Sequence, residues 1–213
     1  MGLQMVRRPV DPVNPDPELI LAAARIIRDG GIISFPTRSL YGLGADAGNR
    51  PAVTKLFKLK KRPQNRPILV LIRDARDLKN LVQTIPLKAI CLMDQFWPGG
   101  VTLIFEAKPG LPDELTAGTG KIGVRRPDNT VAAAIVNAVK GPVTGTSANI
   151  SGESGCSDLN DLDPGIVSNL DLILDAGPLR GGPGSTVVDV TGPSLKILRE
   201  GSVPAKAIFS AWG

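Results

Sequence analysis

Five consecutive residues, Ile68-Leu69-Val70-Leu71-Ile72, carry no polar side chain. Successive side chains of a strand point to opposite sides, so a strand of this composition has no face to offer water. It needs cover above and below, the position of a strand in a sheet with helices on its faces. The rest of the chain agrees. Asp16-Pro17-Glu18 reads as a helix start, with Ile20, Ala23, Ala24 and Ile27 on one face, and Gly30-Gly31 ends that helix near Asp29. A strand through Phe35 follows, then a helix from Asn49-Arg50-Pro51 to about Lys60. Helical segments are predicted at 74–83, 86–95, 129–139 and 164–170, with a short one at the C-terminus. Strands are predicted at 101–106, 121–126, 142–147, 171–175, 186–190 and 195–199, with a polar loop over 150–165. Strands and helices alternate early and strands cluster late. The pattern predicts an α/β sandwich on a mixed sheet rather than a pure Rossmann wind. Residues 1–15, with Pro9, Pro12 and Pro15, read as an extended lead-in to a single domain over 16–213.

A chain of 213 residues, 42% hydrophobic, can bury a core without staples. No apolar run reaches the ~18 residues of a membrane span. No apolar segment follows Arg7 and Arg8, so no signal peptide is expected and the cytoplasm is the expected location. The two cysteines, Cys91 and Cys156, match no metal-binding spacing and read as a core residue and a loop thiol. Histidine is absent, which removes Ser-His-Asp and Cys-His catalysis and imidazole metal ligation together. The net charge of +5 favours anionic partners such as nucleotides or RNA. Eight aromatic residues are too few for a base-stacking platform.

Gly118-Thr119-Gly120-Lys121-Ile122-Gly123 matches G-x-G-x-x-G, but no convincing strand precedes it, a strand follows it, and no acid stands about 20 residues on. Ile122 occupies the place where a P-loop needs Ser or Thr. The segment reads as a turn. A different signal comes from the basic residues. Lys55, Lys58, Lys60, Lys61, Arg62 and Arg66 crowd into twelve positions. Such a run is usually a solvated helix face. Val53, Leu56, Phe57 and Lys60 follow the i, i+3, i+4, i+7 spacing, however, which puts Lys60 at the end of the apolar face, where it either snorkels or points into a cleft. Pro63 and Pro67 fix the path of the loop that carries Arg62 and Arg66.

Strand alternation adds three more faces: Lys121, Gly123 and Arg125; Val143, Gly145 and Ser147; Leu195, Ile197 and Arg199. Together with Gly181-Gly182-Pro183-Gly184-Ser185-Thr186 they describe a cationic pocket with small, hydroxyl-bearing walls. That is chemistry for polyphosphate, where positioning and charge stabilisation dominate. The first strand exits through Pro36-Thr37-Arg38-Ser39-Leu40-Tyr41-Gly42-Leu43-Gly44, with more hydroxyls than a turn requires. Gly42 and Gly44 read as residues that let the chain turn close to a ligand.

The same stretch, with Lys60-Lys61-Arg62-Pro63, Trp97-Pro98-Gly99-Gly100-Val101-Thr102, Val124-Arg125-Arg126-Pro127, Ser147-Ala148-Asn149-Ile150-Ser151-Gly152, Ser185-Thr186-Val187-Val188-Asp189 and Leu198-Arg199-Glu200-Gly201, stands in an order that resembles the YrdC-type family of threonylcarbamoyl-AMP synthases over nearly the whole chain. The resemblance implies a twisted mixed sheet with flanking helices and a deep cationic cavity. It implies formation of L-threonylcarbamoyl-AMP and pyrophosphate from L-threonine, bicarbonate and ATP, with the product passing to a separate transferase that modifies tRNA. By motif position, Thr37, Ser39, Tyr41, Arg125, Gly145 and Ser185 would hold threonine. Lys60, Arg62, Arg66, Lys121, Ser147, Asn149 and Arg199 would hold ATP, with Lys60 and Arg62 stabilising the reacting phosphates. Magnesium would arrive on the nucleotide, with no dedicated protein metal site.

The chain departs from the family pattern at several places. Arg38 stands where many members carry an acidic or other polar residue, Ser39 where threonine is commoner, Leu71 where some have histidine, and Arg66 where the residue is often neutral. The loop Glu153-Ser154-Gly155-Cys156 lacks the usual Pro-Ser, and an end at Gly213 leaves no room for the extension domain of longer members. Two other readings stay open: a tRNA- or duplex-RNA-binding module, on the basic face and net charge, and a paralogue that adenylates a different carbamoylated or amino-acid substrate, on the altered 37–41 and Leu71 positions.

Overall fold

A computed structural model describes residues 6–212. β1 (Val6–Pro9) lies within the segment expected as a lead-in and pairs parallel with a late strand at the edge of a sheet; residues 1–5 of that segment lie outside the described residues. α1 (Pro17–Arg28) begins where the capping signal places it, with the Asp16 side chain accepting from the Glu18 N–H at 2.9 Å. β2 (Ile33–Pro36) and β3 (Tyr41–Gly44) form an antiparallel hairpin. The expected turn at Gly42 and Gly44 is therefore strand, and the turn is 37–40. Glycine at 44 answers to space instead: a Cβ there would stand 2.6 Å from Phe35 Cε1 and 3.0 Å from Val143 Cγ1.

α2 (Arg50–Leu59) is capped by Asn49 and ends at Lys60. β4 (Val70–Leu71) is shorter than its apolar run, yet Ile68, Val70, Leu71 and Ile72 are all buried, as a strand covered on both faces demands. The helix predicted over 74–83 is a 3-10 stretch, Ala75–Asn80, started by the Asp74 cap. α3 (Leu87–Phe96), β5 (Val101–Glu106), α4 (Asp113–Thr116), β6 (Lys121–Arg125) and α5 (Thr130–Val139) follow. The single strand expected over 142–147 is two: β7 (Val143–Thr144) and β8 (Thr146–Ser147), in different sheets. Gly145 makes the crossing, donating its N–H to the Leu69 carbonyl at 2.8 Å. A Cβ at 145 would meet Leu69 Cδ1 at 2.7 Å and Leu71 Cγ at 2.8 Å, so a side chain would block the chain from passing over β4. α6 (Pro164–Val167), β9 (Leu172–Asp175), β10 (Thr186–Asp189), β11 (Lys196–Arg199) and α7 (Ala205–Trp212) complete the order.

The strands form two mixed sheets, ordered β1-β9-β2-β3-β8 and β11-β10-β5-β6-β4-β7. One core cluster joins α1 and α5 to β2 and β9 through Ile20, Ile27, Phe35, Ile135, Val136 and Leu172. The larger cluster joins α2 and α3 to both sheets through Leu43, Leu56, Phe57, Leu92, Leu103 and Val124. Each fully buried Ile, Leu or Phe contributes on the order of 2 kcal/mol by leaving water. Cys91 is exposed on α3 and Cys156 is buried in the 150–158 loop. No helix among the described residues is long and apolar enough to cross a membrane.

Candidate active site

The six-stranded sheet turns one face to the larger core and the other to an open-mouthed cavity of about 360 Å³. The pleat sorts the residues. Val101, Leu103 and Phe105 of β5 and Ile122 and Val124 of β6 enter the core, so Thr102, Ile104, Gly123 and Arg125 face the cavity. Register sets their neighbours. Ile104 lies opposite Gly123, and one pleat further Thr102 comes beside Arg125. β10 sets Val187 against Thr102, and β4 sets Leu71 against Arg125. The facing wall is the β2–β3 hairpin with residues 145–147, which belong to or lead into the other sheet.

Arg125 is the cation of the floor. Its side chain is 11% exposed, and its Nε is buried without a hydrogen-bond partner among the described residues. Nη2 stands 3.9 Å from Asp128 Oδ1. Burial lowers its pKa, Asp128 offsets part of that, and the Arg38 and Arg199 charges push further down. Arg199 donates through Nε and Nη2 to the Ser185 carbonyl at 3.2 and 2.8 Å, and Arg62 through the same edge to the Arg66 and Pro67 carbonyls at 2.9 and 2.7 Å. Burial lowers the pKa of both, the Arg66 charge adding to the effect on Arg62. Backbone carbonyls thus fix two guanidiniums in place while leaving Nη1 of each without a hydrogen bond among the described residues. The hydroxyls of Thr102 and Ser185, both buried, lie 2.8 Å apart beside Arg125 and Arg199.

Ten of the thirteen residues expected at the site line this cavity: Thr37, Ser39, Tyr41, Arg62 and Arg125 among them, with Gly145, Ser147, Asn149, Ser185 and Arg199. Their roles differ from expectation in places. Thr37 donates its hydroxyl to the Leu40 carbonyl at 2.6 Å, so it closes the 37–40 turn and offers a ligand acceptor pairs alone. Ser39 is anchored more weakly, 3.4 Å from the Pro183 carbonyl. The Tyr41 hydroxyl donates to the Gly177 carbonyl at 2.7 Å and accepts from the Ala176 N–H at 2.9 Å. It ties the hairpin to the end of β9, and Tyr41 stands at the cavity wall as a fully buried core residue. Ser147 donates to Asn149 Oδ1 at 2.5 Å.

The other three expected residues do not line it. Lys60 is 1% exposed, with Nζ donating to the Ser147 and Asn149 carbonyls and Asn149 Oδ1. It did follow the apolar face of α2, and the polar end found partners inside the fold instead of in the cleft. Burial pulls its pKa to about 7, with the Arg62 charge adding, while three oxygens around Nζ favour the ammonium. Lys121 shares the face of Arg125, as alternation requires, but at the far end of β6, where Asp189 takes its Nζ at 2.9 Å. Arg66 contributes its carbonyl to Arg62 and leaves its side chain exposed. Thr102, which carried no expected role, was legible from alternation in 101–106, being polar on the face opposite Val101, Leu103 and Phe105. Among the described residues no group of three or more acidic or cysteine side chains is placed to hold a metal ion.

The family model Sua5/YciO/YrdC, described as "Telomere recombination", matches residues 25–201. A Bacillus subtilis protein named threonylcarbamoyl-AMP synthase is 35% identical over 199 residues, 93% of this chain and 57% of its own. The crystal structure of P. abyssi Sua5 complexed with L-threonine superposes with a TM-score of 0.91 at 32% identity, covering 97% of this chain and 60% of that one. E. coli YciO superposes with a TM-score of 0.84 at 27% identity, covering 97% of this chain and 100% of that one. The chain therefore spans less than two thirds of the first two relatives and the whole of the third. Two mixed sheets enclosing a guanidinium-walled cavity, the ordered motifs that build those walls, and a family match that reaches from α1 past β11 have one reading in common: the chain belongs to the Sua5/YciO/YrdC family.

Proposed function

We propose that this protein forms L-threonylcarbamoyl-AMP and pyrophosphate from L-threonine, bicarbonate and ATP, for a separate transferase that modifies tRNA. The observation that carries the reading is the buried, unpartnered Nε of Arg125, flanked by the Thr102–Ser185 hydroxyl pair and by Arg199. A buried guanidinium donor without an acceptor costs free energy that a bound carboxylate recovers through a charge-assisted bond. The B. subtilis relative's name and the threonine in the P. abyssi structure support the same assignment.

The reaction asks little of an acid or base. The free amine of threonine attacks the bicarbonate carbon and water leaves, giving an N-carboxylate. One oxygen of that carbamate bonds the α-phosphorus of ATP as the bond to the β-phosphate oxygen breaks, and pyrophosphate departs with the electron pair. Arg125 and Ser185 hold the amino acid, and Arg62 and Arg199 stabilise the phosphates, with Ser147 and Asn149 shaping that wall. Magnesium enters as the nucleotide's complex. Lys60 acts through the 147–149 loop rather than on the phosphates. Proximity and fixed positive charge supply the rate, consistent with a chain that has no histidine.

The test is pyrophosphate release and mass detection of the acyl-adenylate, with threonine and bicarbonate withheld in turn. Release should require both. Release that ignores either one overturns the reading.

A further inference from the structure

Four arginines line the cavity, and three have places in the reading above. The fourth, Arg38, has none. It sits in the 37–40 turn, which is held at several points: Thr37 N–H and Oγ1 both donate to the Leu40 carbonyl, Asn129 Nδ2 donates to the Thr37 carbonyl at 3.2 Å, and Gly181 N–H donates to the Ser39 carbonyl at 2.9 Å. A turn pinned this way fixes the base of the Arg38 side chain. From there the guanidinium reaches over the mouth to the other sheet's loops. Its Nε lies 3.5 Å from Asp128 Oδ2, and a Cβ added at Gly100 would lie 2.7 Å from its Nη1. Gly100 leaves the space that the guanidinium occupies.

Asp128 offers its second oxygen, Oδ1, to Arg125 at 3.9 Å. One carboxylate therefore spaces two guanidiniums, one buried on the floor and one half exposed at the mouth. Apart from the Nε ion pair with Asp128, the Arg38 guanidinium makes no hydrogen bond among the described residues, so its Nη donors are open to a ligand. Arg38 and Arg125 together face the single Asp128 carboxylate, an excess of one positive charge at this end. The Arg38 charge also bears on Arg125 through its lowered pKa. A zwitterionic amino acid is neutral overall, its ammonium cancelling its carboxylate, and leaves that excess unmatched. A derivative with two carboxylates offsets the excess and gives each guanidinium a carboxylate partner.

We propose that Arg38 is a substrate-contacting residue that takes the second carboxylate of a dicarboxylate amino-acid derivative whose first carboxylate lies on Arg125. Under the proposed function that second group is the N-carboxylate made from bicarbonate, and the inference rests on that reading for this source. The same chemistry would accept a side-chain carboxylate, as in aspartate, and the experiment separates the two.

The variant is Arg38→Gln, a half-exposed position where the fold is not at stake, checked by an unchanged thermal midpoint. Two measurements are made on wild type and variant: titration calorimetry with threonine, threonine plus bicarbonate, and aspartate; and the KM values for bicarbonate, threonine and ATP in pyrophosphate release. For the carbamate source, the bicarbonate KM rises about tenfold in the variant, while threonine alone binds within about twofold of wild type. For the side-chain source, wild type binds aspartate more tightly than threonine and the variant loses that preference. If neither threonine with bicarbonate nor aspartate depends on Arg38, or if the ATP KM alone rises, the inference is wrong. Wild type without threonine- and bicarbonate-dependent release overturns the proposed function instead, and the calorimetric arms still decide the role of Arg38.

Discussion

Lys60 Nζ lies 2.6 Å from the Asn149 carbonyl oxygen and 2.5 Å from that of Ser147, and the Ser151 N–H donates back to the Lys60 carbonyl at 2.9 Å. The end of α2 is thereby stitched to the segment that carries Ser147 and Asn149 along one cavity wall. Lys60→Met removes the donors and leaves two carbonyls without them. Amide exchange at Asn149 and Ser151 should accelerate by about tenfold, the equivalent of one lost hydrogen bond. The pH dependence of stability gives a second readout. The folded pKa, about 7, is below the ordinary 10.5, so between these values the unfolded chain binds more protons. Stability should therefore climb as pH rises from about 7 toward 10.5, and denaturant midpoints for Lys60→Met should show a flatter rise.

Tyr41 offers a cleaner titration because it is the chain's single tyrosine. Burial raises its pKa to about 12, the Asp175 charge adding and the Ala176 N–H working the other way. The folded pKa exceeds the ordinary 10, so the stability this hydroxyl contributes is complete below pH 10 and is lost as pH rises through about 12. Tyrosinate absorbance should appear together with unfolding, near or above pH 11. Absorbance that rises near pH 10 in folded protein would show that the hydroxyl is not held between Ala176 and Gly177.

What the sequence made legible, and what it hid, divides along physical lines. Alternation along a strand reports its two faces, so Arg125 and Gly123 could be placed together from the sequence, and so could Thr102. It does not report distance along the strand, and Lys121 was grouped with Arg125 although it lies at the other end of β6 beside Asp189. The caps Asp16 and Asn49 were readable because capping is local. The split of 142–147 was not, because it depends on Leu69 and Leu71 meeting Gly145 from another part of the chain. Gly42 and Gly44 misled for the same reason: glycine marks a turn or a close approach, and only the positions of Thr37 beside Gly42 and the Phe35 ring beside Gly44 tell which. Thr37 borders the cavity and Lys60 lies behind its wall, because whether a polar group faces a ligand or a neighbouring carbonyl is a tertiary fact.

The separation of Lys121 from Arg199 gives a paired prediction for nucleotide binding. Lys121 lies four residues along β6 from Arg125, roughly 13 Å at the usual strand rise. Its ion pair with Asp189 is partly exposed, and Asp189 also accepts from Thr191 N and Oγ1. Lys121→Met should therefore cost less than about 1 kcal/mol of stability and leave the ATP KM within about twofold. Arg199 lines the cavity and is oriented by the Ser185 carbonyl, so Arg199→Met removes a charge held in place for phosphate. Its ATP KM should rise about 10- to 100-fold, with threonine affinity less affected. Pyrophosphate release over an ATP titration measures both variants side by side. A Lys121→Met loss as large as that of Arg199→Met would mean that Lys121 leaves Asp189 when the nucleotide binds, and that the far end of β6 belongs to the phosphate site.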